Sequence, residues 1–156
     1  MFDTLNDAVG GLDIDRFATA MNNLLPTFNS YFWETNCAGV DAFAQNNWLQ
    51  LKNYCNPPLS QVARLVKFLR DFEPYTPRCV VIAPLWRQQP WFQQLKALAT
   101  TYILLPHSPH LFTKLSTSEQ RTHYLSNQDW RMCAFFINFK LENSLHFPTL
   151  SPPGSG

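Results

Sequence analysis

Asn56-Pro57-Pro58-Leu59 is the stretch of this 156-residue chain whose residue types are best suited to chemistry. Proline fixes φ and has no N–H to donate. The residue before a proline is pushed out of the α region. The stretch is therefore expected to form a stiff, extended turn whose carbonyls have no local partner. The Asn56 side-chain oxygen and the Pro57 carbonyl would be two fixed acceptors. Such a pair can hydrogen-bond both protons of an exocyclic amino group and stabilise the positive charge that develops when its nitrogen attacks an electrophile.

The flanking sequence says what must hold that turn. Trp48 to Tyr54 leads into it, and Ser60 to Phe72 repeats apolar residues at Val62, Leu65, Val66, Leu69 and Phe72. That spacing predicts an amphipathic helix with Arg64, Lys67 and Arg70 facing outward. Pro74 and Pro77 end it. A strand, a rigid polar turn and a helix form the layout of an α/β site, where ligands bind beyond the carboxyl ends of strands. The remaining elements fit the same class. Residues 3–9 read as a short helix stopped by Gly10-Gly11. Leu12 to Ala18 reads as a first strand that brings Asp15 to its end. At most two helical turns are expected over Thr19 to Leu25. Phe28 to Trp33, followed by Glu34, and Gly39 to Phe43, containing Asp41, are the next strands. Cys79 to Ala83 is an unbroken apolar run of the kind found in a strand covered on both faces. Pro90 opens a helix to about Ala99. Tyr102 to Leu105 and Met132 to Phe139 are the last two strands. Strands that alternate with helices argue for an α/β fold with a mostly parallel central sheet, in one domain over residues 1–150. Residues 151–156 read as a linker or added tail.

Composition narrows the function classes. Net charge is +1 and charged residues make up 15%, so no general basic field advertises a polyanion partner and any such contact needs a local patch. Thirteen Phe and five Trp imply a dense core or a face that covers a partner. No apolar run approaches the roughly 18 residues of a membrane span, and the N-terminus carries no secretory pattern. The four cysteines form no close pair. They are read as buried free thiols in a reducing, intracellular compartment, cytoplasm or nucleus. His107-Ser-Pro-His110 and His123 match no common zinc spacing.

Five motifs, taken together, resemble one family. They are Asp15-Arg-Phe-Ala-Thr19 with Asn22 or Asn23 and then Pro26; Val40-Asp-Ala-Phe43 with Trp48; Asn56-Pro-Pro-Leu59; Ile82-Ala-Pro-Leu-Trp86; and Gln89-Pro-Trp-Phe92. Their order resembles the phage-type DNA N6-adenine methyltransferases. It looks closer still to the methyltransferase-like domain of DIRS-type tyrosine-recombinase retrotransposons, which follows reverse transcriptase and RNase H in the same polyprotein. The resemblance implies a compact Rossmann-like fold and S-adenosylmethionine as cofactor. Asp15 and Phe17 would lie at its methionine part, Glu34 at its ribose, and Asp41 and Phe43 at its adenine. Asn56 and Pro57 would hold the target amino group, and Leu59 would line the pocket of a base taken out of its stack. DNA would be the partner, with Arg64, Lys67 and Trp86 as contacts.

Plainer roles stand beside these. Asp15 and Asp41 suit the capping of short helices equally well. Glu34 also suits a solvated loop, and Trp86, Trp91 and Phe92 suit a core. Arg64, Lys67 and Arg70 suit a solvated helix face. Two departures from the family pattern favour a silent nucleic-acid-binding or scaffold module of the same polyprotein. Leu59 stands where an aromatic residue would stack on the base, and the loop after Asp15 has no glycine.

Overall fold

The computed structural model of the chain describes residues 1–106 and 131–141. The histidine group at 107, 110 and 123 and the tail 151–156 lie outside the described residues. The first helix, α1 (Phe2–Ala8), ends where Gly10 and Gly11 take φ of 72° and 99°. Glycine occupies this left-handed region at no steric cost, and it lets Gly11 N bond back to Asn6 O at 2.8 Å. Strands β1 (Ile14–Asp15), β2 (Asn29–Ser30), β3 (Gly39–Val40) and β4 (Lys52–Cys55) follow. Then come α2 (Leu59–Arg70), β5 (Arg78–Pro84), α3 (Pro90–Leu98), β6 (Thr101–Leu104) and β7 (Met132–Ile137).

The central sheet has the order β1-β4-β5-β7-β6. β1, β4 and β5 are parallel, and β7 runs against both β5 and β6. β2 and β3 form a parallel pair. A parallel bridge from Asp15 to Phe28 joins that pair to β1, with Asp15 N bonded to Thr27 O at 3.0 Å. The strands thus run in sequence β3-β2-β1 on one side of β4 and β5-β7-β6 on the other. The mostly parallel expectation holds, with β7 as the reversed strand.

Successive strand residues face opposite sides of a sheet, and β5 shows both sides filled. Cys79, Val81 and Ala83 enter one core with Val62, Leu65, Val66 and Leu69 of α2 and Trp91, Phe92 and Leu95 of α3. Val80 and Ile82 enter the other with Leu5 and Val9 near α1, Leu25 and Phe136. The α2 residues are those the helical spacing selected. Pro90 occupies the first turn of α3, where its missing N–H costs nothing.

Three expectations need correction. Thr19 to Leu25 is not helical. Asn22 Oδ1 accepts from Thr19 N at 2.7 Å, Thr19 Oγ1 accepts from Met21 N at 3.2 Å, and Asn23 Nδ2 donates to Leu25 O at 2.9 Å. These short-range bonds give the backbone an alternative to the helix. The expected strands at 12–18, 28–33 and 39–43 shrink to two residues each, the last two because the chain leaves the β2–β3 ladder directly after Ser30 and Val40. Lastly, Cys37 is only half-buried in the loop after β2, whereas Cys55, Cys79 and Cys133 are sealed in the core.

Burial raises the Cys133 thiol to about 12 and pushes Cys55 well above its ordinary value. Thiolates are the reactive form. Brief treatment with iodoacetamide at mildly alkaline pH is therefore expected to modify Cys37 alone in the native protein, and all four cysteines after denaturation, by mass spectrometry. Rapid native modification at Cys55 or Cys79 would contradict the packing.

Candidate functional site

Five buried side-chain oxygens have no hydrogen-bond partner among the described residues: Asp15 Oδ1, Ser30 Oγ, Tyr54 OH, Asn56 Oδ1 and Gln61 Oε1. Their positions share one feature. Asp15 and Ser30 are the last residues of β1 and β2, Tyr54 and Asn56 flank the end of β4, and Gln61 is in the first turn of α2. All five lie along the carboxyl edge of the parallel strands. A buried polar atom without a partner costs about 1–3 kcal/mol, and native proteins keep few of them.

Asn56 reaches this edge because β4 ends at Cys55 and the two prolines forbid further pairing. Its residue is 6% exposed, which leaves the amide at the surface of the core. Pro58 has φ −57° and ψ 153° and precedes α2. Its carbonyl accepts from Gln61 N at 2.9 Å, so this carbonyl of the turn is engaged, contrary to the sequence expectation. Leu59 begins α2 and, like Trp86 and Met132, borders one small hydrophobic cluster.

Asp15 sits opposite Tyr54 in the parallel register of β1 and β4. Its Oδ2 accepts from Leu24 N at 3.0 Å. Burial raises its pKa from 3.8 to about 6, against the lowering effect of the Leu24 and Phe17 amides. Asp15 therefore does not cap a helix; it ties down the loop over β1 and keeps one oxygen unmatched. Tyr54 was not singled out in the sequence. Its pKa is raised, first by burial and then by the Asp15 charge.

The loops after β2 and β3 converge on the same edge. Glu34 Oε2 accepts from Ala20 N at 2.9 Å and so ties the loop after β2 to the loop after β1. Asp41 N donates to Ser30 O at 2.7 Å, and its Oδ1 accepts from Phe43 N at 3.0 Å. Through that bond Asp41 caps a short 3-10 turn, Ala42–Ala44, as its plainer reading has it, with φ 61° and ψ 103°. A non-glycine residue held there is strained, a condition that clusters at ligand clamps. Phe17 is 8% exposed and packs between Tyr31 and Phe43, with ring centroids 6.4 and 5.5 Å away. Phe43 also meets Phe68 at 5.3 Å, and the Arg64 guanidinium lies 4.1 Å from its ring centre. Arg64 is thus engaged with the β3 loop, while Lys67 is exposed. The sequence-derived residues Asp15, Phe17, Glu34, Asp41, Phe43 and Asn56 do meet at one end of the sheet. Phe17 does so as a packed core residue, and Phe43 half-buried against that core.

Arg16 was read only as part of a glycine-free loop. It is 1% exposed, and its guanidinium donates to three amide oxygens: Nε to Asn53 Oδ1 at 2.7 Å, Nη1 to Asn29 Oδ1 at 2.8 Å and Nη2 to Asn47 Oδ1 at 2.8 Å. It also lies 4.3 Å from the Trp48 ring centre. Burial lowers its pKa to about 10, so it remains charged at neutral pH. Asn53 in turn donates to Trp48 O, Leu51 O and Arg78 O at 2.9–3.0 Å. This network fixes β1, β2 and β4 against one another directly beneath the site.

Among the described residues, no group of three or more His, Cys, Asp and Glu side chains could hold a metal ion, and no helix is long and apolar enough to cross a membrane. No family model, no curated protein and no solved structure matches the chain.

Proposed function

We propose that this domain is a Rossmann-like, S-adenosylmethionine-dependent DNA adenine N6-methyltransferase or a direct descendant of one, belonging to a retroelement polyprotein with reverse transcriptase and RNase H modules. The observation that carries the reading is the row of unpartnered buried oxygens along the carboxyl edge, with Asn56 Oδ1 at the mouth of the Asn-Pro-Pro turn. The order β3-β2-β1-β4-β5 supports it. In doubly wound sheets of that order the chain reverses direction between β1 and β4, and ligands bind at that crevice. Asp15 and Asn56 stand on its two sides.

The residues fit a cationic methyl donor bearing an amino group. Asp15 has a carboxylate oxygen with no partner, and Asn56 an amide oxygen with none. S-adenosylmethionine, when bound, supplies an electrophilic methyl group. Asp15 would oppose its positive charge, and Glu34 and Asp41 hold the loops that would close over it. The Asn56 amide oxygen accepts a hydrogen bond from the target amino group and stabilises the charge that develops on nitrogen. Leu59, the first residue of α2, would lie on the base side. Lys67 is an exposed cation on α2 for the DNA backbone.

A second reading, a silent binding module, draws on the packing of Phe17 and Phe43. Arg64 and Phe68 already cover the ring that would meet the cofactor adenine. Thermal unfolding with and without S-adenosylmethionine separates the two. Ligand at a hundredfold excess over its Kd stabilises the fold by about 2.7 kcal/mol, so a clear rise in Tm is expected. No rise at millimolar cofactor would leave the silent module. With binding established, Asn56→Ala is expected to lower the rate of duplex DNA methylation about a hundredfold or more while cofactor affinity changes little. Undiminished methylation by that variant would remove Asn56 from the chemistry.

A further inference from the structure

Charge is divided unevenly along this chain. Residues 1–58 carry six acids and two basic residues, a formal net of −4, whereas residues 59–98 carry six basic residues and two acids, a net of +4. The fold turns that division into two faces. Helices α2 and α3 touch each other and cover one side of the sheet. Their inward positions, Val62, Leu65, Val66 and Leu69 on α2 and Phe92 and Leu95 on α3, are sealed. Lys67 and Arg70 on α2 and Lys96 on α3 stand exposed opposite them. Arg87, in the loop before α3, is exposed as well. Helix α1 packs on the other side of the sheet and exposes Asp3 and Asp7.

We propose that the outer face of α2 and α3, with Arg87 beside it, holds the phosphate backbone of a nucleic-acid duplex through Lys67, Arg70, Arg87 and Lys96. The inference rests on the reading of DNA as the partner of this site. Two acids, Asp71 and Glu73 past the last turn of α2, cannot neutralise the six basic residues of this stretch. A local excess of one sign draws the opposite charge to the surface, and the near-neutral chain as a whole confines that attraction to this face. Arg64 stands aside, because its guanidinium covers the Phe43 ring. Contacts to phosphate set position and carry no sequence information. Position is what this face supplies. Both helices start at the carboxyl edge, α2 after the Asn-Pro-Pro turn and α3 after the end of β5. A backbone laid along them runs up to the edge at which Asn56 stands.

The same face suits other anionic partners poorly. A helix that lies in a membrane surface needs exposed apolar residues to enter the acyl layer. The apolar residues of α2 and α3 are turned into the core, and no large hydrophobic side chain of either helix is exposed. The outward positions among the cations include Ala63, Gln93, Gln94 and Ala97, small or polar throughout. The centre of a protein interface is depleted of charge and rich in aromatic residues. The exposed rings of Tyr31, Phe32 and Trp33 lie elsewhere, on the loop after β2.

Fluorescence anisotropy of a short labelled DNA duplex, titrated with the full chain in the absence of cofactor, tests the face. Each phosphate contact contributes about −0.9 to the slope of log affinity against log salt, so four give a slope of roughly −3 to −4. The double variant Lys67→Gln/Arg70→Gln is expected to weaken binding about tenfold to a hundredfold at low salt and to flatten the slope by about 2. Both positions are exposed, so Tm should stay as in wild type. Lys52→Gln removes a cation outside the face, at the start of β4, and is expected to leave affinity and slope unchanged. An equal loss in Lys52→Gln, a double variant that binds like wild type, or no binding by the wild-type chain at low salt would overturn the face. So would tighter binding to polyglutamate or to phosphatidylserine vesicles than to the duplex. The outcome is separable from the enzyme reading. Duplex binding that the double variant loses, in a protein that ignores S-adenosylmethionine, keeps the face and removes the methyltransferase. Methylation by the double variant with unchanged KM for DNA keeps the enzyme and removes the face.

Discussion

Replacing Arg16 by alanine is expected to lower the unfolding free energy by about 3–5 kcal/mol, in the range seen when a buried charged network loses a member. The variant strands the amide oxygens of Asn29, Asn47 and Asn53, which now accept from the guanidinium at 2.7–2.8 Å. Each buried acceptor left bare costs about 1–3 kcal/mol. The contact with Trp48 is lost as well, worth up to about 2 kcal/mol when desolvated. Against this, the variant no longer buries a charge, and partial relaxation supplies water to Asn47, which is only half-buried. Domains of this size have about 5–15 kcal/mol in all, so the variant would be marginal at 37 °C. Arg16→Lys should recover less than half of the loss, because a point charge cannot fork to three acceptors. Urea denaturation of the three proteins gives the values, provided the m-values agree. A loss below about 1 kcal/mol for Arg16→Ala would show that the three asparagines find other donors. The network would then not hold the strands together.

Asp15→Asn is expected to have the opposite sign. Burial raises the carboxyl from 3.8 to about 6, so the folded state favours the protonated form. The folded protein then binds more protons than the unfolded chain between these values, and stability falls as pH rises through that window. The associated stabilisation is fully present below about pH 4 and gone above about pH 6. The gap corresponds to about 3 kcal/mol. An asparagine keeps an oxygen for Leu24 N and places an N–H where Asp15 Oδ1 has no partner. The variant should therefore be more stable than wild type by up to about 3 kcal/mol at pH 7, and nearly equal to it at pH 4. Comparing the two proteins at each pH cancels the other carboxylates. Cofactor affinity should fall in the same variant, since the charge that opposes the methyl donor is gone. Gain in stability with loss of binding is the pattern of a site held in a costly state for its ligand. A variant less stable than wild type at pH 7 would mean that the carboxylate is well paired in the fold, and the site argument built on its bare oxygen would fall.

The two variants also separate the layers of the site. Arg16 lies beneath the strands and contributes stability. Asp15, one residue earlier and on the opposite face, carries a cost that a ligand would repay. Adjacent residues with opposite expected signs are a sharper check on the strand register than either alone.

Much of the fold is written locally. Helix α2 follows from Val62, Leu65, Val66 and Leu69 at helical spacing, and α3 from Pro90 in its first turn. β5 follows from an unbroken apolar run, and the end of α1 from Gly10-Gly11. Periodicity and the fixed φ of proline act over a few residues, so a sequence declares them without reference to the rest of the chain. The Asn-Pro-Pro turn belongs to the same class, as does its place between a strand and a helix. What surrounds that turn is decided elsewhere. Arg16 meets Asn53 across 37 positions and Asn47 across 31, and Asp15 meets Tyr54 only through the register of β1 on β4. The reversal of β7 and the bare oxygens at the carboxyl edge depend on the same long-range pairings. Side-chain spacing along one segment carries no record of them, because burial and partner choice are properties of two segments at once. The chain alone named the residues that could bind an amino group; the packed sheet decided that Asp15, Tyr54 and Asn56 would stand together with oxygens unmatched.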